Sequence, residues 1–243
     1  MMIYRLADLT VGVEGAGDYT RSLMKNYENN EPFRGLPQIR IAVTSEMICR
    51  ERKLEGEGFS DDYLESIAVY RAFCEQALNF DVFFFHASAV AKDGEAYLFS
   101  GPSGAGKSTH AEMWRKTFGN SVIMVNDDKP LIRFFGRKAV VYGTPWDGKR
   151  HLNTNICLPV KGICFLSKGE ENRIRRLDYR EARDLVQKET FRAAAWEHKR
   201  RNEMLASQLL NSVPVYSLTC DISEQAAVIA YMGMHAGTDA GRG

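Results

Sequence analysis

The stretch AYLFSGPSGAGKSTHAEMW, residues 96–114, carries the reading of the fold. It opens as a short apolar run of strand type. Glycines at 101, 104 and 106 then punctuate a turn that leads into Lys107 and Ser108, and a helical pattern follows at once, with Met113, Trp114 and Phe118 on its apolar side. Residues 101–108, GPSGAGKS, fit the spacing G-x-x-x-x-G-K-[ST] in the strand–loop–helix setting that this spacing requires. A backbone wrapped around a phosphate needs dihedrals that a Cβ forbids and an approach that side chains would block, which is why glycines are used. The helix N-terminus behind the loop adds partial positive charge, a lysine at position 107 reaches β- and γ-phosphates, and a serine hydroxyl at 108 can ligate Mg²⁺. The expected nucleotide contacts are Gly101, Pro102, Ser103, Gly104, Ala105, Gly106, Lys107, Ser108 and Thr109, with ATP and Mg²⁺ as cofactors.

Working outward, Gly119-Asn120 ends the helix and SVIMV, residues 121–125, reads as a buried strand with Asp127-Asp128 beyond it. A strand, a crossover helix and a parallel strand connect in the right-handed sense, so both strands end on the same edge of the sheet, where ligands sit. The two acids are therefore expected to face the loop's phosphates. One carboxylate beside Mg²⁺ is usual in such enzymes. A second can accept a hydroxyl proton as that oxygen attacks the γ-phosphorus. The assignment read from the dipeptide is Asp128 with Ser108 on the metal and Asp127 as the base. The direction in which a strand-end side chain leaves the sheet decides between the two, and the sequence leaves both assignments open.

Upstream, DVFFFHASAVA and EAYLFS read as apolar strands, and Asp93-Gly94 between them is a hairpin turn because both residues tolerate positive φ. Residues 1–80 read as a small α+β section: MIYRLADLTVGVEG strand-like, YTRSLMKNY helical, QIRIAVTSEM strand-like, then a helix from Ser60 with Leu64, Ile67, Ala68, Ala72 and Leu78 near one face. Residues 81–235 form the main domain, with further strands at LIRFF, AVVYG, GICFLS, RIRRL and PVYSLTC. Tyr179 to Asn211 reads as mainly helical and SEQAAVIAYMGM as a last helix, and residues 236–243 read as a flexible tail.

The 32 basic and 31 acidic side chains nearly cancel, so no global field draws this chain to nucleic acid or to an anionic membrane. Five cysteines, an odd set without a C-x-x-C pair, argue against a disulfide framework and against a zinc knuckle. The N-terminus has no continuous apolar h-region, and the most apolar later run is too short to span a bilayer, so a cytoplasmic protein is expected.

The run FFHASAVAKDGEAYLFSGPSGAGKST, followed by VNDDKPLIR, resembles the catalytic core of the HPr kinase/phosphorylase family over roughly residues 82–135, and more closely its small HPr-kinase-like members. The resemblance implies an α/β fold, a P-loop kinase core of HPr kinase/carboxykinase type with a mixed sheet, related to phosphoenolpyruvate carboxykinase. It implies His86 as a strand histidine near the phosphate site, together with Lys107 and Asp127 in catalysis and Asp128 on the metal side. Two departures stand out. The loop ends Ser108-Thr109 where the bifunctional enzymes usually carry Ser-Glu, and GTPWDGKRHLN, residues 143–153, stands where their glycine-rich signature is placed. That loop offers Lys149 and Arg150 as acceptor or phosphate contacts, or else is a turn that Trp146 anchors to the core.

The function expected is an ATP- and Mg²⁺-dependent kinase acting on a hydroxyl, of a serine on a peptide, a small protein or the free amino acid. The alternatives are a nucleotide-dependent switch without a dedicated acceptor and a carboxykinase-like enzyme acting on a small acid. Arg192, Lys199, Arg200 and Arg201 form a charge run that would meet an acidic peptide, another subunit of the same chain, or only water.

Overall fold

The structure, a computed structural model, describes residues 1–191, 193 and 195–236. Arg192 of the charge run and residues 237–243 of the tail lie outside the described residues. The chain divides into two compact units, Met1–Val82 and Phe83–Gly243.

The first unit is a three-stranded sheet with helices. The first apolar run, expected as one strand-like stretch, is a hairpin: β1 (Met2–Leu6) and β2 (Leu9–Glu14) pair antiparallel around Ala7 and Asp8, both at positive φ. After α1 (Asp18–Met24), β3 (Ile39–Ala42) adds to β2 in parallel. QIRIAVTSEM is therefore not one strand. Thr44 takes extended backbone and its side chain accepts from the Met47 amide, which caps α2 (Ser45–Glu55) and ends the strand before it. Ser60 caps α3 (Asp61–Ala77) in the same way, and Leu64, Val69, Phe73 and Ala77 are buried along that helix. Glu51 of α2 is 1% exposed and is gripped by Arg71 of α3, Nε to Oε1 at 2.6 Å and a second guanidinium nitrogen to Oε2 at 2.8 Å.

The second unit is α/β with a mixed sheet. Its strands are β4 (Val82–Phe84), β5 (Ser88–Lys92), β6 (Glu95–Ser100), β7 (Ile123–Asn126), β8 (Leu131–Phe135), β9 (Lys138–Tyr142), β10 (Cys157–Lys168), β11 (Arg173–Arg176) and β12 (Val215–Cys220). The helices are α4 (Lys107–Phe118), α5 (Tyr179–Lys188), α6 (Trp196–Ser212) and α7 (Glu224–Ala236). The sheet order is β4-β8-β9-β10-β6-β5-β7, with β12 beside β10 and β11 beside β12.

Three differences from the sequence expectation matter to the site. DVFFFHASAVA splits into β4 and β5, which occupy different places in the sheet, and His86 lies in the break between them. GICFLS is the end of a longer strand, β10, that pairs with β9 over its first residues and with β6 over its later ones. Finally, β6 and β7 run parallel as the crossover argument requires, but they are not neighbours: β5 lies between them, antiparallel to both. The tight Asp93-Gly94 turn, with φ of 54° and 78°, folds β5 back into that gap.

The consequence is a sheet edge that gathers strand ends. β12, β10, β6 and β7 all finish there, and β5 begins there. Beneath α4 and α7, the odd-numbered residues Tyr97 and Phe99 of β6 pack with Val90, Leu166, Leu218, Ala227, Ala230 and Met234. Trp114 of α4 is fully buried among Tyr97, Phe99, Phe118 and Tyr231, with ring centroids 4.8–5.9 Å apart. Rings at those separations add roughly 0.5–1.5 kcal/mol per pair beyond their area. Helix α4 is thus pinned, and the loop ahead of it with it. No helix among the described residues is long and apolar enough to cross a membrane.

Candidate active site

The glycine loop owes its shape to three residues at positive φ: Gly101 at 138°, Gly104 at 80° and Gly106 at 100°. A Cβ on Gly101 would also press on Ala105 and on the Leu166 carbonyl at 3.2 and 3.3 Å. Gly106 precedes α4 without a side chain to cap it. The first amides of a helix have no partner within it, and together with the helix dipole they favour an anion. Gly106, Lys107, Ser108 and Thr109 line a cavity of about 780 Å³ at this sheet edge. Lys107 Nζ donates to the loop's own carbonyls, Gly101 at 2.7 Å and Pro102 at 3.3 Å. Burial pulls its pKa below the ordinary lysine value, against the opposing pull of Glu189, Asp128 and Asp127 nearby.

On the other side of the loop, Asn126 holds the acid pair in place. It is fully buried at the end of β7, and its Oδ1 accepts from the amides of Asp128 and Lys129 at 2.9 and 2.6 Å, which turns the chain sharply. Its Nδ2 donates to the carbonyls of Thr144 and Trp146 at 3.1 and 3.2 Å. The Thr144 hydroxyl donates to the Lys129 carbonyl at 2.8 Å. At Gly143 a Cβ would lie 2.0 Å from the Thr154 carbonyl oxygen and 2.7 Å from that of Val125, so only glycine lets this loop pass β7. Trp146 is 3% exposed and anchors the loop, while Lys149 and Arg150 line the cavity; Arg150 also pairs with Glu112 of α4 at 2.6 Å.

The two acids point into different surroundings. Asp127 is 4% exposed; its Oδ1 accepts from Ser88 Oγ at 2.7 Å, and Ser108 is a further hydrogen-bond neighbour. Burial raises its pKa, and the two hydroxyls only partly oppose that. Asp128 keeps a side-chain exposure of 26%, with Oδ1 3.2 Å from His86 Nε2 and Oδ2 paired with Lys129. Burial would raise Asp128 too, but His86 and Lys129 outweigh it and hold the carboxyl down to about 2. Neighbouring carboxyls whose pKa values are driven apart are a recurrent arrangement for dividing chemical roles.

His86 has a second carboxylate partner. Its Nδ1 donates to Glu189 Oε2 at 2.7 Å, its backbone amide donates to the Glu189 carbonyl at 2.8 Å, and its carbonyl accepts from Ser100 Oγ at 2.7 Å. The hydrogen bonds to Asp128 and to Glu189 raise its pKa above the ordinary histidine value. The ring is thus clamped at both nitrogens, and its main chain is tied to the end of the loop-bearing strand.

His86, Lys107, Ser108, Asp127, Asp128, Lys149 and Arg150 border one cavity with Ser103, Gly104, Ala105, Gly106 and Thr109 of the loop, while Gly101 and Pro102 lie outside its lining. Three contributors were missed. Ser88 opens β5 just past the break that holds His86, so no strand periodicity links the two. Asn126 stands next to the acid pair in the sequence, but its role as the hub of the turn depends on Thr144 and Trp146, 18 and 20 residues away. Glu189 lies 103 residues from His86, and no local spacing joins them. Among the described residues no group of three or more His, Cys, Asp or Glu could hold a metal by itself.

A family model described as "SynChlorMet cassette protein ScmC" matches residues 62–226. The chain belongs to this ScmC family. No curated protein matches the chain. Among solved structures, the HPr(Ser) kinase/phosphatase from Coxiella burnetii is similar at 12% identity and a TM-score of 0.36, over 65% of this chain and 97% of that one. A likeness that loose carries no assignment.

Proposed function

We propose that this member of the ScmC family has a P-loop kinase core and acts as an ATP- and Mg²⁺-dependent kinase, transferring a γ-phosphoryl group to a hydroxyl, that of a serine in a peptide, a small protein or the free amino acid. One observation carries the reading: a cationic glycine loop and two differently tuned carboxylates border the same cavity. Phosphoryl transfer asks for positioning and charge neutralisation, and these are what such an edge offers.

In this reading the loop amides and Lys107 hold the β- and γ-phosphates, and Lys149 and Arg150 steady the charge that develops on the transferring group. Ser108 and Asp127 would hold the metal. Their fit rests on the serine hydroxyl lying beside a buried carboxylate, a two-ligand set of the kind Mg²⁺ takes when phosphate oxygens and waters complete its shell. Bound there, Mg²⁺ would neutralise negative charge on the phosphates.

Asp128 is the base. This exchanges the roles read from the dipeptide, on two grounds: Asp128 is the more exposed acid, and Asp127 is enclosed by Ser88 and Ser108. A base must be reachable before its pKa matters. The acceptor oxygen bonds to the γ-phosphorus as its proton passes to Asp128, the bond to the β–γ bridging oxygen breaks, and ADP departs with that electron pair. His86 orients Asp128, and Glu189 is a positioning residue that fixes the ring through Nδ1.

Incubation with γ-labelled ATP, Mg²⁺ and serine-containing peptides tests the proposal. Label is expected in a peptide serine. Release of free phosphate with no labelled acceptor would instead identify a nucleotide switch.

A further inference from the structure

The phosphate loop occupies the middle of the sheet edge, with β5 and β7 on one side of β6 and β10 and β12 on the other. His86 and both acids stand on the first side. The cavity does not end at the loop. It continues along the second side, where it is lined by Lys168 and Gly169 after β10, by Cys220, Asp221 and Ile222 after β12, and by Met113 of α4. None of these residues has a part in the chemistry described above.

Two features mark this second side as built to receive an apolar group. Ile222 is 77% exposed. Its loop is nevertheless held firmly: the Asp221 amide donates to Asn172 Oδ1 at 3.1 Å while Asn172 Nδ2 donates back to Asp221 Oδ1 at 2.9 Å, and Ser223 Oγ accepts from the Ala226 amide at 3.2 Å to start α7. A large aliphatic side chain is thereby displayed on a rigid mount in the lining of the same cavity as the loop. In addition, about 780 Å³ is more than a triphosphate tail fills and lies in the range that encloses a whole small-molecule ligand, roughly 300–1,000 Å³.

We infer that Ile222, with Met113 and Cys220 beside it, is the platform for the nucleoside of the bound nucleotide. This rests on the nucleotide reading of the loop: once the terminal phosphate faces Asp127 and Asp128, the rest of the molecule extends the opposite way, over the ends of β10 and β12. The base is held there by apolar contact with its face, and the acceptor enters from the β5–β7 side.

The test compares Mg·ATP with Mg·tripolyphosphate, which has the phosphates and no nucleoside, by calorimetry on the full chain. Ile222→Asp should raise the dissociation constant for Mg·ATP about tenfold and leave that for Mg·tripolyphosphate within about twofold. Alkylation of Cys220, read by mass spectrometry in the wild-type protein with the exposed Cys49 and Cys157 as internal references, should be slowed by Mg·ATP and not by Mg·tripolyphosphate. Unchanged ATP affinity in Ile222→Asp, or equal protection of Cys220 by both ligands, overturns the platform while the phosphate site stands. A wild-type protein that binds neither ligand overturns the nucleotide reading and the platform together.

Discussion

Two sets of carboxylates in this molecule receive opposite treatment. In the first unit, Glu51 is buried and its two oxygens are taken up by one guanidinium, that of Arg71, in a fork held between two helices. In the second unit, Asp127 and Asp128 are held in a fixed direction by Asn126, yet their partners are hydroxyls, an imidazole and a lysine ammonium at the wall of a cavity. A paired and enclosed acid holds helices together. An acid fixed by its backbone and left facing a cavity is available to a ligand. Glu51 and Asp127 are alike in burial and charge, so between those two what differs is whether the hydrogen-bonding capacity is closed.

The largest effect that could break this comparison is catalytic. Asp128→Asn is expected to lower kcat by about 10³-fold or more, near 4 kcal/mol of transition-state stabilisation, with affinity for Mg·ATP retained. Asp127→Asn should instead weaken Mg·ATP binding. Kinetics in which Asp127→Asn alone removes turnover while binding stays intact would return the base to Asp127. Next in size is the closed pair. Arg71→Ala leaves a buried carboxylate without its cation and should cost about 3 kcal/mol in urea unfolding. Replacing both partners with apolar residues of similar volume should recover most of that loss, and an equally damaged double variant would show that the fork contributes more than neutralisation.

Acid titration sharpens the contrast between the two aspartates. Asp128 has its folded pKa depressed to about 2, so its contribution to stability is present above the ordinary carboxyl value and is lost as pH falls from about 4 to about 2. That contribution is roughly 2 kcal/mol, reduced somewhat by its partial exposure. Asp127 has its pKa raised; its ionised form costs stability at neutral pH, and protonation relieves the cost. Urea midpoints measured between pH 5 and pH 2.5 should therefore fall less steeply in Asp128→Asn than in the wild type. Identical slopes would mean that the His86 and Lys129 contacts do not persist in solution. The smallest effect is the most specific: Glu189→Gln should lower kcat about tenfold with the KM for ATP unchanged, and it should shift the His86 ring ¹⁵N signals. A loss confined to stability, with both signals in place, would make Glu189 merely structural.

What could be read from the sequence was local, and what could not was distant. The glycine loop, Lys107, the helix after it and the acid dipeptide are each legible because their meaning depends on neighbours within a few residues and on one crossover rule. The hairpin at Asp93-Gly94 was legible for the same reason. That β5 inserts between β6 and β7 was not, because pairing partners are chosen across the sheet and not along the chain. His86 read as part of a continuous apolar run, whereas it occupies the break between two strands, where its backbone is tied to Ser100 and Glu189. Thr44 ended a strand early through a cap whose signal, a threonine before a helical run, was present but overridden by the apolar residues ahead of it.

The most direct test of the central claim is a crystal structure of the protein with Mg²⁺ and a non-hydrolysable ATP analogue. The account predicts the triphosphate wrapped by residues 101–109, the metal shared by Ser108 and Asp127, and Asp128 facing the γ-phosphorus on the side open to an acceptor. An analogue bound elsewhere, or bound in the loop with both acids turned away from its terminal phosphate, would contradict it.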